Sequence, residues 1–211
     1  MKMTDMTLCS PVQTLTYPIV EMFHSIQGEG CWAGASAFFI RLAGCDVGCW
    51  FCDTKESWNS KRHPQHTVED LVKQAAIARP AMVVLTGGEP LMHDLTMLCQ
   101  ALHHAGLTIH LETSGSHPLR GSVDWITLSP KRFKPPILDI YPQVHELKVV
   151  IASEDDLGWA EQQARLVSPQ VLKYLQPEWN TPASVEWVFQ YVRQHPEWRV
   201  SMQMHKFLGV R

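Results

Sequence analysis

Short runs rich in Val, Ile, Leu and Phe alternate with helical patterns from residue 37 to residue 204, and this alternation constrains the fold more than any other feature of the chain. A strand, a helix and a second strand close as a right-handed βαβ unit, and a series of such units builds a parallel sheet. The patterning predicts strands over Ala37–Ala43, Met82–Leu85, Thr108–Leu111, Trp125–Leu128, Glu146–Ile151, Val171–Leu175 and Trp198–Met204. It predicts helices over Val68–Ala78, Leu95–Ala105, Glu154–Val167 and Ala183–Gln194. Thr67 can cap the first helix, whose opening turn carries Glu69 and Asp70 where the macrodipole favours acids. Asp94 can cap the second, and Gly106 stops it. These strands are too few for a closed eight-stranded barrel. The stretch from Lys131 to Gln143, with Pro135, Pro136 and Pro142, has no helical period, and the spacer between Gly115 and Trp125 is short for a crossover helix. The expected fold is α/β, a trimmed, incomplete TIM-like βα barrel, curved and open. Its strands end in polar residues, Gly or Pro, at the carboxyl edge where parallel sheets collect ligands.

Size and charge narrow the partners. The chain has 211 residues, which predicts a single domain over 17–211 behind a flexible leader at 1–16. Hydrophobic residues at 45% supply a sizeable core, and a net charge of -3 argues against a nucleic-acid footprint. No apolar run reaches membrane-spanning length, and the polar N-terminus lacks a secretory pattern, so a cytoplasmic location is expected. Six cysteines in such a chain do not suggest a disulfide scaffold. Cys99 falls in an apolar helical stretch and is expected in the core, Cys31 near the site without a ligand role, and Cys9 in the leader.

The other three cysteines carry chemistry. Cys45, Cys49 and Cys52 stand in the run Cys-Asp-Val-Gly-Cys-Trp-Phe-Cys. Three thiolates so close together can wrap one compact metal centre but leave a fourth position open. A structural zinc site closes with four ligands, and no second Cys pair follows; a zinc knuckle completed by His63 or His66 is the alternative. A 4Fe-4S cluster usually takes four Cys ligands, so three would leave one iron free for a small molecule. One βαβ unit later, Thr86-Gly-Gly-Glu-Pro follows a buried strand. Its glycines let backbone approach a ligand, and its carbonyls and Glu89 can accept from an ammonium group.

Together these two motifs resemble the radical SAM superfamily, in which the amino and carboxylate groups of S-adenosylmethionine bind the unique iron. The block Glu21-Met-Phe-His-Ser-Ile-Gln-Gly-Glu-Gly and the close Gln203-Met-His-Lys-Phe-Leu-Gly narrow the resemblance to the 7-carboxy-7-deazaguanine synthases of queuosine biosynthesis, over about Tyr17 to Arg211. Met204 departs from the expected Thr, and the segment Glu178-Trp-Asn-Thr-Pro has no counterpart in the pattern. The resemblance implies a lyase that contracts 6-carboxy-5,6,7,8-tetrahydropterin with loss of ammonia, using a 4Fe-4S cluster, S-adenosylmethionine and Mg²⁺. It implies cluster ligands at Cys45, Cys49 and Cys52 and a Mg²⁺ ligand at Thr54, with Asp53 as the rival. Cofactor contacts are expected from Gly88, Ser129, Pro130, Lys131 and Gln176. Substrate contacts are expected from Ile26, Gln27, Gly28, Arg41, Thr86 and the terminal carboxylate of Arg211. No side chain is assigned as an acid, base or nucleophile. The resemblance further implies a homodimer and a reductant such as a flavodoxin, with neither nucleic acid nor membrane as partner. The competing readings are another radical SAM enzyme, such as a glycyl-radical activase, and a non-catalytic iron-sulfur or zinc module.

Overall fold

Among the described residues, nine strands form one sheet in the order β3-β1-β2-β4-β5-β6-β7-β8-β9. The computed structural model describes residues 15–211, so Cys9 and nearly all of the expected leader lie outside the described residues. The strands are β1 (Thr16–Ile26), β2 (Ser36–Leu42), β3 (Gln65–Thr67), β4 (Met82–Gly87), β5 (Ile109–Thr113), β6 (Trp125–Leu128), β7 (Glu146–Ile151), β8 (Leu172–Pro177) and β9 (Trp198–Val200). From β2 through β9 every pairing is parallel, while β1 runs antiparallel to both β2 and β3. β3 and β9 are the two ends of this order, so the barrel is open, as expected from the strand count.

The helices are α1 (Val68–Ala78), α2 (Thr96–His104), α3 (Asp155–Ala164), α4 (Ala183–Gln194) and α5 (Met204–Leu208). Thr67 caps α1 as the sequence suggests, its hydroxyl accepting from the Asp70 amide at 3.1 Å. Asp94 Oδ1 accepts from the Thr96 amide at 3.0 Å at the start of α2, and Gly106 follows that helix at φ +74°. Between β5 and β6, and between β6 and β7, no α-helix forms; a short 3-10 segment at Leu138–Gln143 serves the second crossover.

Side chains alternate across each strand, and this alternation sorts the core. Ile40, Leu42, Val83, Leu85, Leu111, Leu147, Val149 and Leu175 belong to the main core, together with Leu71, Leu98, Leu102 and Val188 from the helices. Ala37, Phe39, Met82 and Val84, at the alternate positions of β2 and β4, form a separate small cluster with Phe23. Glu112, Lys148 and Gln176 likewise alternate with main-core neighbours and line a cavity. Cys99 is fully buried in the main core, as expected.

Two expectations need correction. The first strand of the chain is β1, not the run at 37–43, and Arg41 therefore sits on the second strand. β1 was hidden because it carries Pro18, Glu21 and His24 and is only partly buried after Ile19, with a register shift between Ile19 and Glu21. The last strand stops at Val200 rather than Met204, where α5 begins instead. The Met204 amide donates to the Gly28 carbonyl at 2.9 Å, a tertiary tie that local pattern does not reveal.

Candidate active site

The register of β2 against β4 sets the site. Leu42 lies beside Gly87, so the loop after β2 leaves the sheet next to the Gly-Gly turn after β4. Gly88 donates its amide to the Leu42 carbonyl at 3.0 Å, and Glu89 donates to the Gly44 carbonyl at 2.8 Å. A Cβ on Gly88 would stand 2.3 Å from the Gly44 oxygen and 2.7 Å from Cys45 Cβ. Gly87 has φ +144°, and a Cβ there would meet the Leu42 oxygen at 2.1 Å. The glycines are therefore required by the Cys loop itself, which packs directly on this turn.

Glu89 has a different role from the one the motif suggests. It is 1% exposed, and its carboxylate accepts from the Leu91 amide, the Thr113 hydroxyl, and both the amide and hydroxyl of Ser114. Four donors fill its acceptor positions, so it clamps the end of β4 to the end of β5 and has no capacity left for a ligand ammonium.

A cavity of about 310 Å³ opens at this carboxyl edge. Cys45, Cys49, Cys52 and Thr54 all line it, as do Gly88, Ser129, Lys131 and Gln176. Ile26, Gln27, Gly28, Arg41, Thr86 and Arg211 line it too. Pro130 is buried between Ser129 and Lys131 and is not in the lining. Lys131 folds back, its ammonium donating to the Ser129 carbonyl and hydroxyl at 2.6 Å each. Arg41 pairs with Glu21 at 2.8 Å, and the Arg211 guanidinium lies 3.3 Å from the other Glu21 oxygen. The Ser25 hydroxyl donates to the Arg211 main-chain oxygen, which anchors Arg211 beside the cavity.

The three thiols suit a cluster with an open iron. Burial pushes the Cys45 and Cys49 thiols up; Lys131 opposes this at Cys49, whereas the neighbouring cysteines add to it. Cys31 and Cys99 are not in the lining, so no fourth thiol of the described residues joins them. Among the described residues, no three of His, Cys, Asp or Glu converge on a single ion. Neither His63, which bonds the Glu56 carbonyl at 2.8 Å, nor His66, which pairs with Asp70 at 2.7 Å, lines the cavity with the three thiols. Thr54 Oγ1 lies 3.8 Å from Cys52 Sγ, facing the same cavity, while Asp53 pairs with Lys206 at 3.2 Å.

A charged group in the lining escapes the motif reading. Lys148, on β7, pairs with Glu29 and lies 3.7 Å from Glu112. Gln27 donates to Glu112 at 2.9 Å, while Gln176 and Gln203 donate to Glu29 at 3.2 and 2.9 Å. Burial disfavours the Glu29 carboxylate, but Lys148 outweighs it and holds the pKa well below the ordinary range. Burial would lower Lys148, yet Glu112, Glu29 and Glu146 together raise it. Glu146, one turn of the pleat away, is 2% exposed and is pushed up to about 7 by burial against the pull of Lys148. A signal was present: Glu146-Leu-Lys148-Val places charges at alternate positions of an apolar strand, which assigns both to an interior face.

This half-barrel, with three cysteines on the loop after its second strand, has the layout of one enzyme class, and the sequence comparison agrees. Residues 39–152, more than half of the chain, match the family description "Radical SAM superfamily". The chain is 57% identical over 202 residues to a 7-carboxy-7-deazaguanine synthase of Synechocystis sp., covering 96% of this chain and 97% of the relative. It is 45% identical to one of Flavobacterium psychrophilum, covering 92% of each. The crystal structure of QueE from Escherichia coli superposes with a TM-score of 0.79 at 31% identity, over 90% of this chain and 95% of that one. Within the radical SAM superfamily, the chain belongs to the 7-carboxy-7-deazaguanine synthase family. Membership implies a 4Fe-4S cluster and S-adenosylmethionine, and the donor set described above fits both.

Proposed function

We propose that this chain contracts the ring of 6-carboxy-5,6,7,8-tetrahydropterin to 7-carboxy-7-deazaguanine with loss of ammonia, a step in queuosine biosynthesis. The observation that carries this reading is one cavity bounded by three thiols and, from the turn after β1 and the end of β5, by Gln27, Glu29 and Glu112. Ammonia accounts for the whole difference in composition between substrate and product, so the reaction is redox-neutral overall. When bound, the cluster and S-adenosylmethionine supply a carbon-centred radical that removes a hydrogen atom from carbon six of the pterin.

The chain's residues position, orient and exclude water. Cys45, Cys49 and Cys52 would hold the cluster. Gly88, Ser129, Lys131 and Gln176 would contact S-adenosylmethionine, Gly88 through its backbone and Ser129 through the turn that Lys131 braces. Glu29 and Glu112 are acceptors, and the amino and ring N–H groups of a pterin are donors, so these carboxylates would read its edge. Ile26, Gln27, Gly28, Arg41, Thr86 and Arg211 would complete the pterin site. Thr54 would give one hard oxygen to Mg²⁺, with substrate oxygens and water completing the shell; the engagement of Asp53 by Lys206 favours Thr54 over it. A flavodoxin-type reductant, a homodimer, a single domain over 17–211 and a cytoplasmic setting belong to the same proposal. Among the described residues, no helix is long and apolar enough to cross a membrane.

The test is the reconstituted enzyme carrying Glu29→Gln or Glu112→Gln. Each should raise KM for the pterin at least tenfold and leave cleavage of S-adenosylmethionine without pterin unchanged. An unaltered KM in both variants would remove the carboxylates from the substrate site.

A further inference from the structure

Lys148 is a buried cation on an interior strand face, and the substrate reading above gives it no contact. It is 4% exposed and stands between carboxylates that arrive from three directions. Glu29 comes from the turn after β1, Glu112 from the end of β5, and Glu146 from β7 itself. The other charged groups that face this set are Lys131, which Lys148 repels, and His205 of α5, which acts on Glu29. Neither replaces Lys148, because Lys131 is committed to the Ser129 oxygens and the hydrogen-bonded partner of Glu29 is Lys148.

We propose that Lys148 is a positioning residue, which fixes Glu29 and Glu112 as an ionised pair aimed into the cavity so that the substrate edge meets two acceptors. The hydrogen-bond pattern divides the work. One oxygen of Glu29 takes the Lys148 ammonium, and the other takes the Gln176 and Gln203 amides. Glu112 Oε1 is shared between Gln27 and the more distant Lys148 charge, and no hydrogen bond occupies Oε2 among the described residues. Without the cation, the buried Glu146 and the part-buried Glu29 and Glu112 would face one another. Like charges so close cannot all stay ionised, so one or more would protonate and offer a donor where the substrate needs an acceptor. A carboxylate that accepts becomes one that also donates, and recognition inverts.

This inference rests on the carboxylates reading the pterin edge, and its test separates the two. Steady-state KM for 6-carboxytetrahydropterin is measured with reconstituted enzyme from pH 6 to pH 9, for wild type, Lys148→Met and Lys148→Arg. Lys148→Met should raise KM at least tenfold near pH 6 and recover partly toward pH 9, a swing well beyond whatever Glu146, which titrates near 7, gives the wild type. Lys148→Arg keeps the charge and should keep the wild-type profile even where its bulk raises KM uniformly. A loss of packing alone would raise KM equally at every pH, and that result would overturn the proposal. If Lys148→Met does not fold, the charge-balanced pair Lys148→Met with Glu29→Gln carries the test through Glu112, and a flat profile there would also overturn it. Unchanged KM in Lys148→Met would refute the positioning role if Glu29→Gln and Glu112→Gln remain impaired. If they too bind normally, the reading of the carboxylates fails, and the proposal with it.

Discussion

Replacing Glu89 with Gln changes one atom type at a buried site where every donor is known. In the native chain two donors point at each carboxylate oxygen: Leu91 N and Thr113 Oγ1 at Oε1, Ser114 N and Ser114 Oγ at Oε2. The Thr113 hydroxyl donates to Glu89, whose ionised carboxylate can only accept, while its oxygen accepts from the Gly115 amide at 2.9 Å. An amide group in place of Oε2 would let the Ser114 hydroxyl turn to Ser116, 3.1 Å away, and accept from the new NH₂. The Ser114 backbone N–H has no such escape, and the opposite amide orientation strands the Leu91 N–H instead. One buried backbone donor is lost in either case, costing about 1–3 kcal/mol, and the surviving bonds lose their charge assistance. The net destabilisation should be about 2–4 kcal/mol, which in a domain of this size lowers Tm by roughly 5–15 °C. Urea unfolding of the cluster-free protein measures it without interference from cofactor binding. A change below about 0.5 kcal/mol, within the range of ordinary surface substitutions, coupled to lost S-adenosylmethionine affinity, would refute the clamp and return Glu89 to the ligand.

Gly88→Ala should leave a folded protein that incorporates several-fold less iron, because the new Cβ displaces Gly44 and Cys45; overpacking itself should cost about 1–3 kcal/mol. Gly158→Ala, with nothing within 4 Å of the added carbon, is its control and should reconstitute normally. Glu146 gives a pH signature. Its folded pKa of about 7 exceeds the ordinary 4.5, so between these values the folded chain holds a proton that the unfolded chain has released. Its stabilising contribution is complete below pH 4.5 and is lost as pH rises through 7, a swing of about 3 kcal/mol that Glu146→Gln should abolish in denaturation curves across that window. Thr54→Ala should weaken the Mg²⁺ dependence of turnover while Asp53→Ala should not; the reverse result would move the ligand to Asp53.

Much of the fold was legible because local and tertiary preferences agree. The bounds of α1, β6, β7 and α4 follow the sequence pattern directly, with Thr67 setting the start of α1. β1 was illegible because it is a partly exposed antiparallel strand whose Pro18, Glu21 and His24 break the apolar signature. α5 has five residues and depends on the contact from Met204 to Gly28, which no local pattern encodes. The site divides in the same way. Cysteine spacing announces itself, because metal ligands must be close and of one type. Glu89 could not be read correctly, since only the fold brings Thr113 and Ser114 to its carboxylate. Lys148 was visible as a charge within an apolar strand, but its partners are Glu29, 119 residues before it, and Glu112 on β5, two strands away across β6.

The most direct test of the account is product formation. The protein is reconstituted anaerobically with iron and sulfide, reduced, and supplied with S-adenosylmethionine, Mg²⁺ and 6-carboxytetrahydropterin, and the mixture is read by mass spectrometry. The account requires 7-carboxy-7-deazaguanine from the wild-type chain and none from Cys49→Ala, which should also lose the cluster absorbance. Product from Cys49→Ala, or deoxyadenosine without deazaguanine from a wild-type chain with a verified cluster, would contradict it.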